Sequence, residues 1–183
     1  FSHFEQDDNQ IRAYFADGTE ANGDVLVAAD GVNSRIRQQF LPHAAIVDTG
    51  MRCIYGKILL SESTKPLVPD FLHHGFTVVA GLQPFSMALG LVEFVHQPAE
   101  AAAQFAPSVQ FHTDGDYLMW SLNAPGVRFA SSDRELFQMD GLQLQQLVLK
   151  KVKSWHPNLR SLVAASDPAE IFPLAVRVSA PCE

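Results

Sequence analysis

The sequence predicts an α+β chain, in which a short strand-turn-helix unit precedes an antiparallel or mixed β-sheet with packed helices. Three observations lead there. A continuous apolar run, Val25-Leu26-Val27-Ala28-Ala29, ends at Asp30-Gly31 and is followed by a helix pattern. Several strand-length apolar segments separated by turn residues then fill the middle of the chain. Two helix patterns and one last strand pattern close it.

In the first segment, Ile11, Ala13 and Phe15 alternate with polar neighbours, as a half-buried strand requires. Asp17-Gly18 and Asn22-Gly23 are turn signals, because Gly accepts positive φ and Asp or Asn bonds back to the backbone. The Asp24–Ala29 run reads as a buried parallel strand. Ser34 to Leu41 reads as a short helix closed by Pro42, with Ile36 and Phe40 on one side.

The expected middle strands are Cys53–Leu60, Gly75–Ala80, Met87–Val95 and Tyr117–Leu122. Turns are expected at Ser61–Pro69, Gly81–Pro84, Thr113–Asp116 and Asn123–Gly126. Ala99–Phe105 fits a short helix or a loop equally well. Asp140 is a helix N-cap, and Leu144, Val148, Val152 and Trp155 form one stripe of the helix it opens. Asn158 caps a second helix, and Ile171–Val178 reads as an edge or bulged strand because Pro173 interrupts it.

With 183 residues, 47% of them hydrophobic, the chain can bury one core or a little more. Its net charge of -7 argues against a phosphate-backbone surface, so no nucleic-acid partner is expected. No segment has the length of a membrane span and no leader pattern opens the chain, which is read as cytoplasmic. Cys53 and Cys182 lack metal-ligand spacing and read as isolated thiols. The seven histidines form no HExxH or similar arrangement, so no metal site is expected. The chain opens in a strand-like segment without Met and stops after an apolar run, which reads as a piece of a longer protein.

The sharpest local feature is Asp30-Gly31-Val32-Asn33-Ser34-Arg35-Ile36-Arg37. A strand followed by a turn and a helix delivers residues to the edge where open α/β sheets collect ligands. Gly31 permits close backbone approach, and Ser34 can cap the helix. The helix N-terminus and Arg37 would suit a phosphate, and Asp30 could accept hydrogen bonds from sugar hydroxyls. An ordinary strand-turn-helix junction with local caps explains the same residues. No GxGxxG or GxxxxGK[ST] glycine pattern occurs anywhere.

The stretch from Asp17-Gly18 through Asp24 to Asp30, Gly31, Ser34 and Arg37 resembles the second fingerprint of the FAD-dependent aromatic-ring hydroxylases. This group includes the para-hydroxybenzoate and salicylate hydroxylase-like flavin monooxygenases. The resemblance implies that residues 1–48 are a remnant of a Rossmann-like FAD-binding domain and 49–183 an incomplete substrate-binding middle domain. It implies an enzyme that uses FAD, NADH or NADPH and O2 to place one oxygen atom on an aromatic or similar small organic ring. Asp30, Gly31, Ser34 and Arg37 would serve the cofactor, with Asp30 near its ribose or pyrophosphate and Arg37 bracing the loop or the phosphate side.

Arg52, Tyr55, Phe76, Met87 and Pro173 are the substrate-pocket candidates, with Lys57, His74, Phe94 and Met119 as further ones. Strand alternation puts Tyr55 and Lys57 on one face and Arg52 with Ile54 on the other. The amino-terminal GxGxxG and carboxyl-terminal Gly-Asp segments of the family pattern are absent from this sequence. The isolated chain is therefore expected to be inactive and colourless, with FAD belonging to the intact enzyme. Surface exposed by truncation would favour self-association. Two alternatives remain: a non-hydroxylating flavoprotein such as a halogenase or dehydrogenase, and a non-enzymatic small-ligand or interaction domain.

Overall fold

A computed structural model describes residues 1–80, 84–108, 115–130 and 132–180. It is an α+β structure in which antiparallel sheets are packed with helices. The chain separates into two compact units, residues 1–49 with 177–183 and residues 50–176. Residues 81–83 of the expected turn at Gly81–Pro84, residues 113–114 of that at Thr113–Asp116, and Cys182 lie outside the described residues.

The first unit is built on a three-stranded antiparallel sheet, β1 (His3–Gln6), β2 (Ile11–Tyr14) and β3 (Glu20–Gly23). The β2–β3 turn forms as the sequence predicts: Gly18 takes φ +83°, and the Thr19 amide donates to Asp17 Oδ1 at 3.0 Å. Asn22-Gly23 makes no second turn. It stays in β3, opposite Arg12 and Ile11, and Asn22 Oδ1 accepts from Arg12 Nε at 2.9 Å.

Helix α1 (Arg35–Phe40) follows the motif. Its Gln39 carboxamide clamps the edge of β1, accepting from Phe4 N at 3.0 Å and donating to Phe4 O at 2.6 Å. That contact fixes the short helix to the sheet, which propensity alone would not do for six residues.

The expected buried strand at Asp24–Ala29 does not form. Val25 is 77% and Val27 76% exposed, and no described strand pairs with the segment. A continuous apolar strand is stable only with neighbours on its edges and cover on its faces. Among the described residues no strand pairs with this segment, and its only cover is beside Leu26, which is half-buried near Ile11 and Ala13.

The second unit holds a five-stranded sheet of order β5-β6-β7-β4-β8: β5 (Thr77–Ala80), β6 (Ser86–Val92), β7 (Tyr117–Pro125), β4 (Ile46–Leu59) and β8 (Phe172–Ser179). β4 and β8 each begin or end in the first unit. β4 starts earlier than expected from sequence and β7 runs three residues further.

Side-chain alternation decides which face each residue serves. One face carries Ile54, Ile58, Met87, Leu89, Leu118, Trp120, Leu122 and Ala124, all at or near zero exposure. Leu144, Val148, Val152, Leu162 and Val163 of α4 (Gly141–Lys151), its C-cap and α5 (Pro157–Ala164) belong to the same core.

The helices form for legible reasons. Asp140 and Gln143 make a reciprocal capping box at the start of α4, and Lys150 and Lys151 lie in its last turn, where the dipole favours cations. The stripe expected through Trp155 is present, although α4 itself ends at Lys151. Pro157 occupies the first turn of α5, where a missing N–H costs nothing. The alanine-rich segment is helical as α2 (Pro98–Phe105), and α3 (Asp133–Gln138) is capped by Ser132.

A buried polar network joins these layers. Gln145 Nε2 donates to the carbonyls of Val163 at 3.0 Å and Ser166 at 2.9 Å, and the Trp120 indole N–H donates to Ser166 Oγ at 2.7 Å. Gly56 makes room for this tryptophan. A Cβ there would stand 2.4 Å from Trp120 Cζ2.

Candidate functional site

In the first unit, Asp30-Gly31 forms a turn with Gly31 at φ +77°, a conformation that favours glycine. No heavy atom lies within 4 Å of where a Gly31 Cβ would stand, so its Cα side is open to an approaching group. Asp30 Oδ2 accepts the Arg35 amide at 3.0 Å, and Ser34 Oγ accepts the Arg37 amide at 2.9 Å. A hydrogen bond from the Ser34 side chain, followed by backbone amides, holds the Asp30 carboxyl below its usual range.

The first-turn amides Arg35 N and Arg37 N therefore serve the chain's own caps rather than standing free for a phosphate. Arg37 turns away from that end. Its Nη1 donates to the Ala44 carbonyl, and its buried Nε has no hydrogen-bond partner among the described residues. Its visible role is to brace the loop after α1. The Asp30 carboxylate is exposed, and a carboxylate offers about four acceptor positions, so capacity remains for a sugar hydroxyl. The residues present thus fit a ribose contact at Asp30 and close backbone approach at Gly31.

In the second unit, the sheet face opposite the helices is a platform whose rows follow from the strand register. Ser86, Asn123 and Cys53 lie in one row, and Val78, Ala88, Ser121 and Tyr55 in the next. Gly90, Met119 and Lys57 form a third. The centre is made of small residues and its margins of rings. Phe172 stands 5.1 Å from the Tyr55 ring, and Phe76 lies over Gly90, where a Cβ would come within 3.3 Å of it. Phe76 is 64% exposed and Phe172 42%.

Polar groups on this face are neutral or already compensated. Asn123 Nδ2 donates to Ser121 O and Ser121 Oγ, each at 3.1 Å. Lys57 Nζ pairs with Glu170 at 3.1 Å and lies 5.7 Å from the Tyr117 ring centroid. Burial pushes the Cys53 thiol and the Tyr55 phenol above their ordinary ranges.

The structure separates the pocket candidates. Tyr55, Phe76, Lys57 and Met119 share the face away from the helices, where Tyr55 and Met119 are half-buried and Phe76 is exposed. Met87 is fully buried among the core residues under the helices, because its register puts it beside Leu122. Arg52 is also on the helix side. Its Nε donates to Asp133 Oδ1 at 2.9 Å and its Nη1 to Met51 O at 2.8 Å, which ties β4 to the start of α3. Pro173 follows Phe172 in β8, so alternation points it away from Tyr55.

His74 ends a short 3-10 turn, and Phe94 packs beside Tyr117 at 6.2 Å. Glu93 makes an exposed pair with His73 at 3.4 Å. Ser121 and Asn123 were not among the residues expected from sequence. Alternation within the expected Tyr117–Leu122 strand already sets Ser121 beside Tyr117 and Met119, and carrying it past Leu122 adds Asn123. Among the described residues, no group of His, Cys, Asp and Glu could hold a metal, and no helix is long and apolar enough to cross a membrane.

No family model matches the chain. It is 29% identical over 181 residues to the dual O-methyltransferase/FAD-dependent monooxygenase of Cercospora nicotianae, which covers 91% of this chain and 20% of that protein. It is 43% identical over 187 residues to 6-hydroxynicotinate 3-monooxygenase of Bordetella bronchiseptica, covering 94% of this chain and 38% of that protein. A solved structure from Photorhabdus luminescens, described as that of an FAD-containing monooxygenase, superposes with a TM-score of 0.72 at 27% identity. That match covers 97% of this chain and 45% of the other. The chain thus spans between a fifth and two-fifths of these two curated relatives. The relatives it matches are described as FAD-dependent monooxygenases and hydroxylases in general, and do not single out the para-hydroxybenzoate and salicylate hydroxylase-like group.

Proposed function

We propose that this chain is part of an FAD-dependent monooxygenase that hydroxylates an aromatic or similar small organic substrate with NADH or NADPH and O2. One observation carries the reading: the likeness to an FAD-containing monooxygenase structure extends over 97% of the chain at a TM-score of 0.72. The motif at Asp30–Arg37 agrees with it in chemistry.

FAD, when bound, supplies the electron transfer and oxygen activation that side chains cannot. The residues of this chain contribute binding and orientation. Asp30 offers a carboxylate to a sugar hydroxyl, and Gly31 leaves the backbone open to close approach. Ser34 lowers the Asp30 carboxyl further below its ordinary range and starts α1, and Arg37 holds the following loop through Ala44. In the second unit, Tyr55, Phe76, Met119 and Phe172 give an aromatic and apolar margin around a floor of small residues. A flat ring fits such a floor.

The test uses the complete protein. Asp30→Ala is expected to weaken FAD retention through dialysis by about ten-fold or more, as loss of a charged hydrogen-bond acceptor costs ~1.5–3 kcal/mol. Flavin content and reduction rate equal to those of the unaltered protein would remove Asp30 from the cofactor site.

A further inference from the structure

The cations nearest the open sheet face are not presented to a ligand as bare charges. Lys57 projects from that face, yet its ammonium is 3.1 Å from the Glu170 carboxylate and its side chain is 17% exposed. Arg52 lies on the opposite face with its guanidinium forked onto Asp133. What the face does present is uncharged. The Tyr55 hydroxyl makes no hydrogen bond among the described residues. Asn123 spends its amide N–H groups on Ser121, which leaves its Oδ1 as an acceptor. Tyr55 is directly opposite Ser121, and Asn123 is the diagonal neighbour on the same face, about 7–8 Å away at the backbone. The floor between them is the half-buried Ala88 and the buried Ser121, 7% exposed, with Gly90 beyond.

A carboxylate brought to this face would lose water without gaining an unshared cation, and its charge would lie near Glu170. A neutral ring with one donor and one acceptor would lose less water and find both partners. We propose that this face selects an uncharged aromatic or heteroaromatic ring carrying a phenol or lactam group, and that Glu170 enforces the choice by neutralising Lys57. The inference rests on the reading of this face as the substrate floor, and it adds the charge class of the ligand and the residue that sets it.

The full 183-residue chain, labelled with nitrogen-15, serves for the test. Its amide resonances are followed while 2-pyridone (a neutral lactam ring) or benzoate (a carboxylate of similar size) is added. Shifts are expected at residues 53–57 and 119–123, with 2-pyridone binding about ten-fold tighter than benzoate.

In Glu170→Gln the Lys57 ammonium is released, so benzoate should tighten about five-fold or more while 2-pyridone changes less than about two-fold. Glu170 is 39% exposed in its side chain, so the variant is expected to keep its fold, which an unchanged melting curve verifies. Asn123→Leu should weaken 2-pyridone by about five-fold or more through loss of the acceptor.

Benzoate binding as tightly as 2-pyridone to the unaltered chain overturns the inference and leaves the monooxygenase reading intact. So does an affinity ratio that Glu170→Gln fails to move. No shift at these residues with either compound at about 10 mM, a range that detects affinities weaker than millimolar, overturns both this inference and the assignment of the face as substrate floor.

Discussion

Replacing Gly56 by alanine tests the packing that holds the second unit together. The added methyl carbon would stand 2.4 Å from Trp120 Cζ2 and 2.6 Å from Cε2, well inside contact distance. The ring has no room to yield, since Trp120 is fully buried and its indole N–H is held by Ser166 Oγ at 2.7 Å. Overpacking a tight core costs about 1–3 kcal/mol. If the ring swings aside, the N–H leaves Ser166 and a buried donor goes unpaired, adding about 1–3 kcal/mol. The expected total is therefore about 2–6 kcal/mol, taking both terms together.

Urea unfolding followed by tryptophan emission measures it, with the slope checked for constancy across variants. Ser166→Ala alone should cost about 1–3 kcal/mol. The double variant should cost less than the sum of the two, because a displaced ring has already lost the Ser166 bond. A Gly56→Ala chain within about 0.5 kcal/mol of the unaltered one would refute the packing described, since such a value is ordinary for an uncrowded surface site.

Asp133→Asn should destabilise by about 1–3 kcal/mol, because it breaks a forked, charge-assisted contact to the buried Arg52, whereas Glu62→Gln on the exposed Lys65 pair should stay within about 1 kcal/mol; chemical denaturation compares the two. Asp30 is held below its ordinary range by Ser34 and the Arg35 amide, so its folded value lies under its unfolded one. Its contribution is then complete above the ordinary carboxylate value and disappears as pH falls through the lower folded value. The Arg35 amide resonance should report that midpoint, and Asp30→Asn should abolish the titration. Cys53 is 8% exposed with its thiol pushed up by burial, so in a Cys182→Ser background a thiol reagent at neutral pH should react only on unfolding.

The sequence disclosed those features that depend on local chemistry. Period-two alternation was enough to set Tyr55 and Lys57 against Arg52 and Ile54, because a strand has only two sides. Asp140 announced α4 because an N-cap is chemistry between near neighbours. The Asp24–Ala29 run was misleading for the opposite reason. Its composition suits a buried strand, but burial depends on partners that a local pattern does not contain.

Met87 and Met119 look alike in sequence, and only the register with β7 and β4 sends one under the helices and the other to the open face. Arg52 invited a ligand role by its place at the start of a middle strand, and its carboxylate partner, Asp133, lies 81 residues away. Ser121 and Asn123 escaped notice because two uncharged polar residues near a strand end form no motif. Their meaning comes from the cross-strand neighbours Tyr55 and Cys53.

The most direct measurement is made on the polypeptide from the complete reading frame, purified without added cofactor. Its visible spectrum and its consumption of reduced nicotinamide nucleotide and oxygen are recorded together. The monooxygenase reading requires about one FAD per polypeptide and nucleotide oxidation coupled to oxygen uptake, rising when a small aromatic compound is added. A colourless protein that gains no flavin on reconstitution, or a flavoprotein whose nucleotide oxidation takes up no oxygen, would contradict it.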